Sequence, residues 1–302
     1  MKKVIVVAGA TGNLGGKIVD ALLAKDVEVR AIVRLETDAD KIEALHKKGV
    51  KVFQVDTKDK VEISKHCFGA QCMVSALAGL EETIIDAQKV FLEAAIDAKM
   101  ERFIPSDYSS DFTNLIDGQN RNLDLRRAFH RHLEKQPIKA TTIFNGPFID
   151  LLTTDMPLIL FRQRRILCWG NPDQIIEFTT TRNVAEFTAE AALDNDTPRY
   201  LRIAGDRLSC RDFVKLLSEL TNSQFRILRP GGIGLLNFVI KLTRFFSPSE
   251  KVLYPAWQGM QYMRDMMEGR IIFQKYDNDR YGNIRWTSVR EFLMHEKVGK
   301  TK

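Results

Sequence analysis

Cysteine is scarce in this chain of 302 residues, and the four present, Cys67, Cys72, Cys168 and Cys210, include no Cys-x-x-Cys pair. Their sparseness argues against a disulfide framework or a cysteine-type zinc site and points to reduced thiols. The five histidines, His46, His66, His130, His132 and His295, form no His-Glu-x-x-His, so no metal is expected. No stretch reaches the ~18 unbroken apolar residues of a membrane span. The apolar start Val4-Ile5-Val6-Val7-Ala8 meets Gly9 too soon to be a signal segment. Charge of one sign is also modest. Lys and Arg number 45 against 39 Asp and Glu, a net +6 that suits anionic small molecules better than nucleic acid. The basic cluster Arg121–His132 and the tail Lys297–Lys302 lack interleaved aromatics and read as solvated surface. The expectation is a cytoplasmic protein with neither membrane nor nucleic-acid partner, of unspecified oligomeric state.

What is present begins with an alternation. Short apolar runs occur at Lys3–Ala8, Val27–Val33, Val50–Val55, Gln71–Ala76, Arg102–Ile104 and Ala140–Phe144. Between them lie stretches with helical spacing, at Gly15–Ala24, Asp38–Lys48, Glu81–Lys99 and Asn120–Lys135. Strand and helix in turn demand right-handed crossovers and a parallel sheet covered on both faces. The fold expected is α/β, a doubly wound parallel Rossmann sheet with a smaller, mainly helical C-terminal substrate lobe. Residues 1–150 form the nucleotide-binding domain and 151–302 the lobe, with about 175–205 returning to the main sheet. Around Gly170-Asn171-Pro172-Asp173, the runs Ile166–Trp169 and Gln174–Thr179 read as a hairpin-like excursion.

The strongest local signal is Gly9-Ala10-Thr11-Gly12-Asn13-Leu14-Gly15-Gly16, directly after the first strand and opening the first helix. In such a place Gly9 permits the tight turn, Gly12 lets backbone approach a pyrophosphate, and Gly15 lets the helix pack on the sheet. About 20 residues further on, an acid ordinarily marks NAD and an arginine marks NADP. Here strand two ends at Arg34, which favours NADP(H), with Lys41 as a second cation. Glu36 nearby keeps NAD(H) open.

Five segments carry a family resemblance: Gly9–Gly16, Val29-Arg30-Ala31-Ile32-Val33-Arg34, Gly49–Asp56, Val74-Ser75-Ala76-Leu77 and Arg102-Phe103-Ile104-Pro105-Ser106-Asp107-Tyr108. In these the chain resembles the NmrA-like branch of atypical short-chain dehydrogenases/reductases, whose enzymatic neighbours are isoflavone reductases and phenylcoumaran benzylic ether reductases. The likeness covers about residues 1–150. It implies that Gly9, Thr11, Gly12, Asn13, Leu14 and Gly15 meet the pyrophosphate, and that Arg34 and Lys41 take the 2′-phosphate. It implies Asp56 and Thr57 beside the adenine, and Ser75, Ala76 and Leu77 along the ribose and phosphates. Ser106, Asn145, Pro147 and Phe148 would then lie near the nicotinamide.

The chemistry is less legible. No Tyr-x-x-x-Lys exists, since Phe112 stands four residues after Tyr108, which disfavours a nucleotide-sugar epimerase. The related reductases use a lysine on the helix after strand five, and matching Leu133-Glu134-Lys135-Gln136 puts Arg126 there. A guanidinium can polarise a carbonyl or hold ribose, but it is a poor proton shuttle. Leu125, Phe129 and Leu133 define that helix's expected buried face, which Arg126 flanks. Arg126, Tyr108 and Ser106 are therefore the catalytic candidates, with Tyr108 read first as packing and second as an acid. The Met- and aromatic-rich stretch Tyr254–Met267 reads as core or as a pocket wall. The function expected is an NADPH-dependent reductase of an apolar aromatic or conjugated small molecule. The alternative is a non-catalytic NADP(H) sensor with a regulatory protein partner.

Overall fold

The computed structural model describes residues 2–154 and 156–297, so the tail expectation at 298–302 lies outside the described residues. Six parallel strands make the central sheet: β1 (Val4–Ala8), β2 (Glu28–Arg34), β3 (Lys51–Val55), β4 (Cys72–Ser75), β5 (Arg102–Ile104) and β6 (Lys139–Ala140). Their order is β3-β2-β1-β4-β5-β6, the expected doubly wound Rossmann arrangement, with the order of strand addition reversing between β1 and β4. Strands buried on both faces need no polar alternation, and β1 reads VIVVA. Ile5 and Val7 face α1 (Asn13–Leu23) and α6 (Thr181–Leu193) through Ile18, Leu22, Val184 and Phe187. Val6 and Ala8 face the opposite layer through Ile63, Phe91, Leu92 and Phe129. That layer is α3 (Lys60–Cys67), α4 (Gln88–Asp97) and α5 (Arg121–Leu133), while α2 (Ala39–Lys47) follows β2.

The helices depart from the sequence reading in three places. α3 was not anticipated; it is short, and Asp59 caps it by accepting from the Glu62 amide. The stretch expected as one helix over Glu81–Lys99 opens with a π-helical turn, Glu82–Ala87, before α4. On α5 the buried residues are Asn122, Leu123, Phe129, His130 and Leu133, while Leu125 is only half-buried. The inward face is thus rotated from the expected Leu125 edge, because His130 has a buried partner described below.

After Thr141 the last strand changes neighbour: β7 (Thr142–Phe144) pairs in parallel with β11 (Tyr200–Arg202). The expected hairpin around Gly170 does not form. Instead β9 (Arg165–Leu167) lies between β8 (Ile159–Leu160) and β13 (Arg226–Leu228), and β10 (Ile176–Phe178) pairs with β12 (Asp206–Leu208). The remaining helices are α7 (Cys210–Thr221), α8 (Ile233–Phe246), α9 (Ala256–Glu268) and α10 (Val289–His295). Their core includes Phe178, Phe213, Met263, Met266 and Met267, so much of the Met-rich stretch is core, although Tyr254 is exposed. Polar residues of α9 clasp the start of α5. Asn120 caps α5, donates to Asp265 at 2.7 Å and accepts from Gln258 at 2.8 Å.

The segment after β5 is tied down by charge. Asp107 is fully buried, with its Oδ2 2.5 Å from His130 Nε2 and 2.8 Å from the Thr142 hydroxyl that donates to it. Arg199 donates to that hydroxyl in turn, at 2.7 Å. Burial works against the Asp107 carboxylate, but His130, Thr142 and the charge of Arg126 outweigh it and hold the group below its ordinary range. A depressed carboxyl contributes stability that is present at neutral pH and lost on acidification through the range near ~4 and below. Removing His130 strands a buried charge, so His130→Ala is expected to cost about 3–5 kcal/mol in denaturant unfolding at neutral pH. Asp107→Asn is expected to flatten the acid limb of the stability profile. An unchanged unfolding midpoint for His130→Ala contradicts this account.

Candidate functional site

The carboxyl ends of β1, β4, β5 and β7 converge on the loop that follows β1. Gly9 holds φ +85°, where a side chain is strained, and its carbonyl accepts from the Gly12 amide at 3.0 Å. A Cβ on Gly9 would stand 2.6 Å from the Ala76 carbonyl oxygen. One on Gly15 would stand 2.0 Å from the Gly9 oxygen, so helix and loop touch only because both lack side chains. Gly12 caps α1 in extended conformation without a side-chain hydrogen bond, and the first turn holds no acid. The first amides of α1 therefore point out of the carboxyl end of β1 with their dipole uncompensated, a ready anion seat. Gly12 and Asn13 are exposed, Thr11 and Leu14 half-buried.

Arg34 ends β2 opposite Val55 of β3, and its carbonyl accepts from Thr37 in a tight turn. Arg34 and Lys41 are both exposed, and neither side chain has a hydrogen bond or ion pair among the described residues. Asp38 is occupied in capping α2, while Glu36 is exposed. Asp56, just past β3, accepts from the Lys58 amide at 2.9 Å in the turn that also holds Thr57. These residues line one end of the groove.

At its other end Ser106 joins two strands. Its hydroxyl donates to the Leu77 carbonyl, and its amide donates to Gln88 Oε1 at 2.9 Å. Gln88 follows the π-helical turn directly and donates back to the Ile84 carbonyl at 2.7 Å. Ser75 is fully buried with its Oγ unpartnered. Asn145 is fully buried too; its backbone amide donates to the Ser109 carbonyl, while its side-chain Oδ1 has no partner among the described residues. Leu14, Ala76 and Phe148 are half-buried against one apolar cluster, and Pro147 is half-buried beside them in sequence.

The catalytic candidates separate. Tyr108 lies in the core cluster at 8% exposure, its hydroxyl unpartnered, and burial pushes the phenol well above its ordinary range. Arg126 is half-buried and donates to the Asn122 carbonyl of its own helix at 2.9 Å. Its charge bears on Asp107 and on Tyr262 of α9, whose phenol burial pushes up to about 12 against the pull of Arg126. The sequence reading missed Gln88, Asp107 and His130 as positioning residues. The signals were a glutamine inside an apolar helical stripe and a histidine one turn after Arg126. Two surface depressions, of about 480 and 290 Å³, lie toward the amino ends of the strands, lined by Phe68 and Asp97 in one and Ile138 and Arg199 in the other. Neither touches the glycine loop. Among the described residues no His/Cys/Asp/Glu group could hold a metal, and no helix is long and apolar enough to cross a membrane.

Comparison with known proteins gives concordant relatives. Oxidoreductase BOA1 of Botryotinia fuckeliana is 28% identical over 240 residues, covering 75% of this chain and 78% of the relative. A bifunctional pinoresinol-lariciresinol reductase 1 of Linum usitatissimum is 23% identical over 238 residues, covering 74% and 76%. Among solved structures, AtPrR2 with NADP+ and (+)pinoresinol superposes with a TM-score of 0.81 at 19% identity, covering 97% of this chain and 98% of that one. The NmrA-like family model matches residues 1–230, most of the 302-residue chain, and the chain belongs to that family.

Proposed function

We propose that this chain binds NADP(H) and is a reductase passing hydride from the nicotinamide to an apolar, aromatic or conjugated small molecule. The observation that carries the reading is the pairing of an uncapped α1 amino terminus, held to Gly9 by Gly15, with an Arg34 at the end of β2 that is unpaired among the described residues. In this reading the α1 amides and Thr11 hold the pyrophosphate, and Arg34 with Lys41 takes the 2′-phosphate. Asp56 and Thr57 border the adenine, and the backbone at 75–77 follows the ribose and phosphates. Residues 1–150 serve the nucleotide and 151–302 the substrate. The names of the relatives, a pinoresinol-lariciresinol reductase and a protein solved with NADP+, support the cofactor and the reaction class.

The cofactor, when bound, supplies the hydride, so the protein's share is position and electrostatics. Gln88 and Leu77 fix the backbone and hydroxyl of Ser106 at the nicotinamide end. Arg126 presents a permanent positive charge one helical turn from the Asp107–His130 pair, suited to polarising a carbonyl. One observation favours the second reading, a cofactor sensor without turnover. The phenol of Tyr108 is shut in the core, and the Arg126 guanidinium is bonded to its own helix, which leaves proton transfer without an evident donor.

Titration is expected to show NADPH binding more tightly than NADH, with Arg34→Ala losing about 10–100-fold of NADPH affinity and little of NADH affinity. Equal affinities in the parent protein contradict the 2′-phosphate assignment. NADPH oxidation followed against quinones, enones and aromatic carbonyls is expected to show turnover on at least one class. Arg126→Met should then lower kcat by about 10–100-fold while NADPH affinity holds. Absence of turnover on every class favours the sensor.

A further inference from the structure

We infer that the surface built from α8 and the β8–β9–β13 sheet docks on an anionic membrane surface. Two segments of the chain are free of acidic residues, 156–172 and 220–249, and pairing of β9 with β13 brings them together. They carry Arg162, Arg164 and Arg165 in the first, and Arg226, Arg229, Lys241 and Arg244 in the second. Arg165 and Arg226 stand directly opposite each other across the parallel pair, a like-charge juxtaposition that is unfavourable unless an anion relieves it. Of the acids bounding these segments in the described structure, Asp173 pairs with Arg211 and Glu219 with Arg290, while Glu250 pairs with Arg244 of the second segment itself. Among the described residues, Arg162, Arg164, Arg165, Arg226, Arg229 and Lys241 have no ion pair.

Contiguous with this charge is an apolar ridge. α8 follows β13 after Arg229-Pro230-Gly231-Gly232, and Gly170 beyond β9 donates to the Gly231 carbonyl at 3.1 Å. The inner side of α8 buries Leu236 and Ile240. Its outer side carries Leu235, Phe238, Leu242, Phe245 and Phe246, which share one arc at helical spacing. Phe238 is 60%, Phe245 80% and Phe246 75% exposed. Exposed aromatics concentrated on one helix face mark a contact surface.

The occupant follows from the combination. A second copy on a two-fold axis would present the same unpaired cations to each other, which is repulsive. An anionic bilayer complements both parts, taking the apolar arc into the acyl boundary and the arginines among the headgroups. At 14 residues α8 spans about 21 Å, too short to cross, and its one-sided apolar arc suits a helix lying in the interface plane. The sequence expectation of no membrane partner rested on the want of a span, and surface docking has a different signature.

The test is co-sedimentation of the full chain with vesicles of phosphatidylcholine alone or mixed with phosphatidylserine. The expected result is binding to the mixed vesicles that weakens steeply with added salt, and little binding to the neutral ones. The double variant Phe245→Ser/Phe246→Ser should lower the partition about tenfold or more. Arg162→Glu/Arg165→Glu should lower it independently, with far-UV circular dichroism unchanged. Failure of the parent protein to bind mixed vesicles overturns the proposal, as does binding that neither variant diminishes. Light scattering that shows a dimer dispersed by the phenylalanine variant also overturns it, in favour of a second copy. NADPH affinity reads separately on the proposed function and is expected to be unmoved by these variants.

Discussion

The approach of α1 to the loop before it is the constraint on which the site depends. With a Cβ on Gly15 calling for 2.0 Å from the Gly9 carbonyl oxygen, no side chain fits there without moving the helix. Removing both side chains lets the helix start within contact of the turn. Its amides are then carried to the point where β1 and β4 end, and Ala76 crowds Gly9 from the other side at 2.6 Å from a Cβ. The groove is therefore formed by backbone, and its anion preference comes from peptide dipoles rather than from titrating groups. Such a seat is insensitive to pH. One strand away Arg34 stands exposed and unpaired among the described residues, and in the proposed reading it is the side chain that distinguishes the two nucleotides.

Backbone-built features were the legible part of the sequence. The glycine spacing and the Val- and Ile-rich strands are each written in adjacent positions. β1 through β5 followed from local pattern because strands covered on both faces are rich in apolar residues, whereas the run Ala140–Phe144 meets the main sheet only at Ala140 and continues as β7. The small sheet of the C-terminal half was not legible for the opposite reason. β8, β9 and β13 are two or three residues long, and β9 takes one partner from far along the chain, which no local period announces. The nearby turn around Gly170 suggested a hairpin because turn chemistry is local, whereas pairing is decided by tertiary packing. α3 escaped because it buries only Ile63 and Cys67, too short a stripe to stand out.

Side-chain partnerships in the site were less legible still. Asp107 and His130 are 23 residues apart, and each reads alone as a surface polar residue. Their meeting explains the rotated face of α5, since the helix turns inward the residue with a buried charge to satisfy rather than the more apolar Leu125. Gln88 is a similar case. The π-helical turn before it shifts the register, and a glutamine in an apolar stripe becomes the acceptor for the Ser106 amide. π-helical turns recur at functional sites because they re-aim a side chain without ending the helix.

Arg126 is where these strands of structure meet. It lies on α5 one turn before His130, and its charge helps to keep the buried Asp107 ionised. A lysine in that place can give up its proton, and doing so would leave Asp107 with one cation fewer. A guanidinium cannot, so the local charge balance is fixed at every physiological pH. The substitution thus trades a proton shuttle for a constant field, and a carbonyl placed against it would be polarised without being protonated by the protein. In the proposed reductase, hydride transfer to a conjugated acceptor would tolerate that arrangement, because the developing negative charge spreads over the acceptor. In the proposed reductase the residue at position 126 would therefore act on the reaction through its charge alone.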